Sequence, residues 1–214
     1  MTAPRGLFIT FEGGEGTGKS TQARLLAAAL TTGGREVLLT REPGGSPGAE
    51  EIRELLVSGA QERWPPLAET LLFYAARADH LERVIRPALT DGKVVICDRF
   101  SDSTRAYQGA ARRGDPALID LLDKTVVGAT QPDLTLILDL PVEEGLSRAA
   151  SRGGAARFES FDSDFHARLR ASYLEIAKAN PSRCAVIDAQ GTPDTVQARI
   201  VAAVTQRLKG VRLG

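Results

Sequence analysis

The sequence predicts an α/β fold built on a five-stranded parallel sheet with helices on both faces. Three observations predict it: short apolar runs rich in β-forming residues, helical patterns that alternate with them, and chemically unusual residues crowded just after those runs. Strands that alternate with helices are joined by crossover connections, which leave the strands parallel and covered on both sides.

Taken in order, the first run is Leu7 to Phe11, followed by a glycine-rich segment and a helical pattern from Lys19 to about Thr32. The second run, Glu36 to Thr40, precedes helical patterns over Ala49 to Val57 and Leu67 to Leu89. Val94 to Asp98 is the third run, and a helix over Pro116 to Val127 comes after it. The fourth, Leu134 to Leu140, leads into helices over Val142 to Arg152 and Phe161 to Ala179. Cys184 to Asp188 is the fifth, closed by a helix over Pro193 to Leu208. Phe161, Phe165, Leu169, Tyr173 and Ile176 recur at helical spacing and read as a stripe facing the core.

With 214 residues and 22.8 kDa, the chain fits one domain over residues 1–214. Lysine plus arginine and aspartate plus glutamate both total 27, so no net field favours nucleic acid or an acidic membrane, and any anion site must be local. Cys97 and Cys184 each sit in a strand-like run and read as buried thiols, which fits a reducing compartment. No signal peptide and no apolar run of roughly 18 residues is present, so a cytoplasmic protein is expected.

In an open parallel sheet, ligands bind beyond the carboxyl ends of the strands. Four segments fall there: Gly13 to Ser20, Arg41 to Gly45, Asp98 with Arg99, and the end of the fourth run near Asp139. Gly13-Gly14-Glu15-Gly16-Thr17-Gly18-Lys19-Ser20 matches the phosphate-loop pattern G-x-x-x-x-G-K-[ST], between a strand and a helix as its mechanism requires. Its glycines let backbone N–H groups point at phosphate oxygens, and the helix beginning near Lys19 adds its positive end. ATP phosphates are thus expected along the loop from Gly13 through Thr21, with Lys19 on the β- and γ-phosphates and Ser20 on Mg²⁺. An acidic partner for the metal is also needed, and both Asp98 and Asp139 end apolar runs; spacing alone does not choose between them. His80 and His166 lack neighbours at zinc-like spacing and read as structural or exposed.

A phosphate loop alone leaves ATPases, switches and small-molecule kinases open. Asp98-Arg99-Phe100-Ser101-Asp102-Ser103-Thr104-Arg105-Ala106-Tyr107-Gln108-Gly109 resembles the thymidylate kinase signature. Three further features agree in order: the acid at the third position of the phosphate loop, Arg41-Glu42-Pro43-Gly44-Gly45, and Leu72-Phe73-Tyr74-Ala75-Ala76-Arg77. The resemblance runs from Leu7 to about Ile187. It implies a P-loop NTPase fold of the nucleoside monophosphate kinase kind with a short lid at about 148–159, transfer of phosphate from ATP to dTMP with Mg²⁺, and a homodimer formed by helix packing.

It also implies roles. Asp98 becomes the acid that holds Mg²⁺ through water, while Arg99 and Arg41 bind the dTMP phosphate. Phe73 and Arg77, four apart on one helix face, stack on thymine and donate to a base carbonyl. Thr104 and Gln108 form a polar pair near the base, Tyr107 lies where a ribose 2′-hydroxyl would sit, and Glu15 faces the acceptor sugar. Taken singly, Phe73 reads as core and Arg77 as a solvated charge; it is their joint occurrence that points to a pocket. The resemblance is to the bacterial type, whose lid supplies transition-state arginines, here Arg152 and Arg157 with Arg148 nearby; the eukaryotic type has an arginine in the loop where this chain has Gly16. One departure is Ala156-Arg157-Phe158-Glu159, where the family usually has an aspartate before the arginine. A kinase for another nucleoside monophosphate would alter the base pocket. A regulatory switch would have no need of Phe73 and Arg77.

Overall fold

The computed structural model describes residues 5–151 and 157–208. Five parallel strands form one sheet in the order β2-β3-β1-β4-β5: β1 Phe8–Glu12, β2 Val37–Arg41, β3 Val94–Asp98, β4 Leu134–Asp139 and β5 Cys184–Asp188. β1 is buried throughout and lies between β3 and β4, which are buried along all but their last residue. The edge strands β2 and β5 leave Leu39 and Val186 exposed, as partners on one side only would dictate.

Helices cover both faces: α1 Lys19–Thr32, α2 Pro47–Val57, α3 Pro66–His80, α4 Arg86–Thr90, α5 Ser101–Thr104, α6 Pro116–Val126, α7 Val142–Ala150, α8 Ser163–Ala179 and α9 Pro193–Arg207. One face of the sheet packs Ile9, Phe11, Leu136 and Leu138 against Leu26 and Leu30 of α1 and Ile200 and Val204 of α9. The core stripe expected on α8 is present, with Phe165, Leu169 and Tyr173 buried together beside Ile137. Cys97 and Cys184 are free and buried. Among the described residues no helix is long and apolar enough to cross a membrane.

Two departures from the expected elements have physical causes. The long helix expected over Leu67 to Leu89 is interrupted at Leu81–Ile85 by a wider π-helical turn, in which the Arg86 N–H reaches back to the Leu81 carbonyl. Pro87, just beyond, has no N–H and its ring would crowd the preceding turn of a regular helix, so the widened turn absorbs it. The second is a helix unforeseen between Ser101 and Ala111: α5 runs into a π-helical stretch, Arg105–Ala111, closed by Arg112 N–H on the Tyr107 carbonyl at 2.9 Å. The residues of the linear signature are thus wound into one largely buried helical segment that follows β3.

Because Arg41 pairs with Asp98, and Asp98 with Phe11, the loops after β1, β2 and β3 leave the sheet at one level. The phosphate loop, Arg41, Asp98 and Arg99 therefore start from a common edge.

Candidate active site

At the amino end of α1, Gly18 adopts a φ of 89° and no side chain caps the first turn, which also carries no acidic residue. Its orphan N–H groups are left available to an anion. Lys19 is buried, with Nζ 2.6 Å from the Gly14 carbonyl and 3.3 Å from Thr17 Oγ1. Burial, with the charge of Arg99 near it, pushes the Lys19 ammonium down to about 8. Gly16 has a φ of 69°, and a Cβ there would lie 1.8 Å from the Gly145 carbonyl oxygen at the start of α7. No side chain fits at that position. At Gly14, by contrast, a Cβ would meet nothing, so only some of the loop's glycines are dictated by neighbouring protein.

The two candidate acids separate cleanly. Asp139 is held in a two-pronged pair with Arg170, at 2.7 and 2.9 Å. Asp98 instead accepts a short hydrogen bond from the Ser20 hydroxyl. Both β3 and β4 flank the phosphate loop, so it is the side-chain partner, not strand order, that distinguishes Asp98 from Asp139. A hydroxyl and a carboxylate are hard oxygen donors of the kind Mg²⁺ accepts alongside water and phosphate.

Around them lies a cavity of about 180 Å³ lined by Lys19, Ser20, Arg41, Arg53, Asp98 and Arg99 among others. Four cationic side chains meeting two hard oxygen donors can hold two phosphate groups against their mutual repulsion. Arg41 is exposed and grips Glu50 through both carboxylate oxygens at 3.0 Å. Arg53 was not foreseen; its Nη1 donates to the Pro43 carbonyl at 2.7 Å, and burial together with Arg41 lowers its pKa. Its spacing from Glu50, three residues along α2, was the available sign that it shares a face with the Arg41 contact.

Arg99 donates to Glu15 Oε1 at 3.0 Å and stacks over the Tyr107 ring, with its guanidinium carbon 4.9 Å from the ring centre. The Tyr107 hydroxyl donates to the same Glu15 oxygen at 2.6 Å. Burial alone would raise the Glu15 carboxyl, yet the charges of Arg99 and Lys19 and the Tyr107 hydroxyl hold it down at about 2. Glu15, Arg99 and Tyr107 are thus brought together, an ion pair with a neutral hydroxyl donating to its carboxylate.

Arg77 is 1% exposed and lies between the rings of Tyr74 and Phe100, at 4.8 and 5.3 Å. Its Nε donates to Glu42 at 2.8 Å and its Nη2 to Thr104 at 3.0 Å, while Nη1 is buried with no hydrogen-bond partner among the described residues. A buried, unpaired guanidinium N–H is costly and marks a place for an acceptor. The solvated-surface reading of Arg77 is therefore overturned. Phe73 is half-buried on the same helix, its ring 6.3 Å from that of Phe158, which in turn meets Tyr107 edge-on at 5.5 Å. Gln108 lies one turn beyond Thr104 and donates to Glu69 at 2.9 Å. His80 is fully buried between Glu42 and Thr40, and His166 is buried too, its Nε2 without a hydrogen-bond partner among the described residues, so neither is exposed.

The lid residues divide. Arg152 and Ala156 lie outside the described residues. Arg157, expected over the phosphates, is buried against α2, α3 and their connection: its Nη1 is 2.6 Å from Glu69, off the line of a hydrogen bond, and it donates to the carbonyls of Leu56, Ala60 and Gln61. A guanidinium surrounded by carbonyls and a buried carboxylate is fully occupied there, which corrects the expected role. The 3₁₀ turn Arg157–Ser160 is thereby fastened to α2 and α3 and is not part of a free lid. Arg148 donates to Glu144 at 2.6 Å and to the Ala189 carbonyl at 3.2 Å. It borders a second cavity, about 310 Å³, with Thr17, Thr21, Gly191, Pro193 and Val196.

Known proteins resemble this chain over nearly its whole length. The family model described as thymidylate kinase matches residues 11–200. The chain is 63% identical to a thymidylate kinase of Caulobacter vibrioides over 95% of its own length and 98% of that protein's. It is 54% identical to one from Dinoroseobacter shibae, covering 96% of this chain and 99% of the other. Among solved structures, a thymidylate kinase from Ehrlichia chaffeensis is similar with a TM-score of 0.77 at 37% identity, covering 94% of this chain and 100% of that one.

Proposed function

The chain belongs to the thymidylate kinase family, and from that premise we propose how its residues divide the work of moving the γ-phosphate of ATP onto dTMP. The reaction gives ADP and dTDP, a step toward dTTP. An oxygen of the dTMP phosphate attacks the γ-phosphorus while the bond to the β–γ bridging oxygen breaks, so binding and charge neutralisation are most of what the protein must supply.

In our reading ATP lies along Gly13 to Thr21, with its phosphates on the free N–H groups of α1 and on Lys19, and its base toward Arg148 and Gly191. The 310 Å³ cavity beside Thr21 supports that placement. Ser20 and Asp98 would hold the Mg²⁺ that arrives with the nucleotide, which offsets negative charge on the β- and γ-phosphates. The dTMP phosphate faces Arg41, Arg53 and Arg99, whose charges share one cavity with Lys19. Thymine stacks on Phe73, and Arg77 with Thr104 and Gln108 reads its polar edge. Tyr107, fixed by Glu15 and Arg99, closes the sugar site against a 2′-hydroxyl. Because Gly16 leaves no room for a loop arginine, the charge that stabilises the transferring phosphoryl group falls to Arg152.

We further propose a single kinase domain over 1–214 acting as a homodimer in the cytoplasm. Leu67 and Leu71, one turn apart on α3, and Leu121 on the adjoining α6 are large apolar side chains left exposed, which supports a helix-packed dimer. Two free buried thiols fit the compartment.

The single observation that carries the base assignment is the unpartnered, buried Nη1 of Arg77 beside an aromatic ring. A coupled ADP-release assay with ATP, Mg²⁺ and a panel of nucleoside monophosphates tests it. dTMP should be turned over fastest; preference for UMP, AMP or GMP would overturn the pocket as described.

A further inference from the structure

Glu12 ends β1 and has no exposed surface. A carboxylate inside a sheet is costly unless its oxygens are hydrogen-bonded. This one accepts from the Phe100 backbone N–H at 2.8 Å on Oε1, and from the hydroxyls of Ser103 at 2.6 Å and Tyr173 at 3.2 Å on Oε2. Burial, with Asp102 behind it, still raises the Glu12 carboxyl to about 7, against the pull of Ser103, Arg99 and Phe100. So expensive a group calls for a function, and none of the roles above uses it.

All three donors surround Arg99. Its φ is 72°, a backbone conformation that costs a side-chain-bearing residue roughly 1–2 kcal/mol and persists only where the surroundings over-determine it. The peptide units on either side of it are tied to consecutive residues of β1: Arg99 N–H to the Phe11 carbonyl at 2.9 Å, and Phe100 N–H to the Glu12 carboxylate. The first tie is an extension of the sheet ladder. The second turns the chain at Arg99.

The same carboxylate fixes where hydroxyl protons point. Ser103 has one proton, committed to Glu12, and Tyr173 lies 2.9 Å from Ser103 Oγ on the Glu12 side. The lone pairs of both oxygens are left toward Arg99 Nη1, at 3.3 and 3.4 Å, where the Gly13 carbonyl is a third acceptor at 3.1 Å.

We propose that Glu12 is a positioning residue for the acceptor phosphate, holding Arg99 in its left-handed turn and orienting Ser103 and Tyr173 to receive its guanidinium. Glu12 touches neither substrate and acts through Arg99, and the proposal rests on the reading of Arg99 as a ligand of the dTMP phosphate. The competing possibility is that Glu12, which directly precedes Gly13, merely stiffens the phosphate loop.

Steady-state kinetics of the full chain separates the two. Glu12→Gln puts an amide NH₂ against one of the donors, and it should lower kcat/KM for dTMP on the order of tenfold while KM for ATP stays within about twofold. In an Arg99→Ala background the same substitution should cost less than about twofold more, because its target is already gone. Should Glu12→Gln fold poorly, Ser103→Ala and Tyr173→Phe each remove one donor and should show the same dTMP-selective loss, smaller in size. Equal loss for both substrates, or a full extra loss in the Arg99→Ala background, would overturn the role of Glu12 and leave Arg99 standing. An Arg99→Ala variant with normal dTMP kinetics would overturn the reading of Arg99 first, and this proposal with it.

Discussion

Arg157→Ala distinguishes a residue that holds the protein together from one that acts on the transferring phosphate. Neither Arg157 nor Glu69 has any exposed side-chain surface, and their charged atoms are 2.6 Å apart. Truncation strips the donor from three carbonyls and the opposite charge from that buried carboxylate. Breaking a buried pair by removing one partner costs about 3–5 kcal/mol. Gln108 at 2.9 Å and Arg112 at 3.5 Å remain on the other Glu69 oxygen, which places the expected loss at the low end, about 3 kcal/mol. For a chain of this size that corresponds to a fall in Tm of roughly 6–12 °C. The assay is a thermal scan paired with ADP-release rates taken well below the transition. Tm should fall by that amount, with kcat of the folded enzyme kept within about an order of magnitude. An unchanged Tm with kcat down by about 10³ or more, as for an arginine finger, would refute this placement of the side chain.

Other outcomes follow from the same geometry. Gly16→Arg should abolish ATP binding, measured by calorimetry, because its Cβ would collide with the Gly145 carbonyl at 1.8 Å; an active variant would show that the loop and α7 can part. Lys19 sits at about 8 in the free enzyme, so it is charged below that pH and increasingly neutral above it. KM for ATP should therefore rise about tenfold between roughly pH 7 and pH 9, and a flat profile would contradict the lowered value. Leu71→Asp places a charge on the exposed apolar face of α3 and should shift the protein to monomer by light scattering; an unaltered mass would remove α3 from the interface.

The sheet and most of the site were legible because their signals are local. All five strands were located to within a residue or so, since a buried parallel strand is an uninterrupted apolar run such as Val94-Val95-Ile96-Cys97. The phosphate loop carries its own spacing and flanks. What escaped depends on contacts distant in sequence. Asp98 and Asp139 look alike until Ser20 and Arg170 are seen to take one each. Arg157 reads as a lid cation because nothing near it betrays Glu69, 88 positions earlier, or the carbonyls of the α2–α3 connection. Glu12 looks like ordinary strand-end polarity, and only the fold brings Phe100, Ser103 and Tyr173 around it. The helix through Ser101 to Ala111 was hidden by its own motif, since a signature read residue by residue says nothing of the face it presents.

The central claim is that a guanidinium buried among aromatic rings selects the base of the acceptor. Its most direct test is calorimetric titration of wild type and Arg77→Met with dTMP and with 5-methyl-dCMP, which carries an amino group in place of the thymine C4 carbonyl. Wild type should favour dTMP on the order of a hundredfold or more, because the unpaired Nη1 would face a donor in the other ligand. In a folded Arg77→Met variant that preference should shrink to within a few-fold. A preference preserved in Arg77→Met would contradict the account.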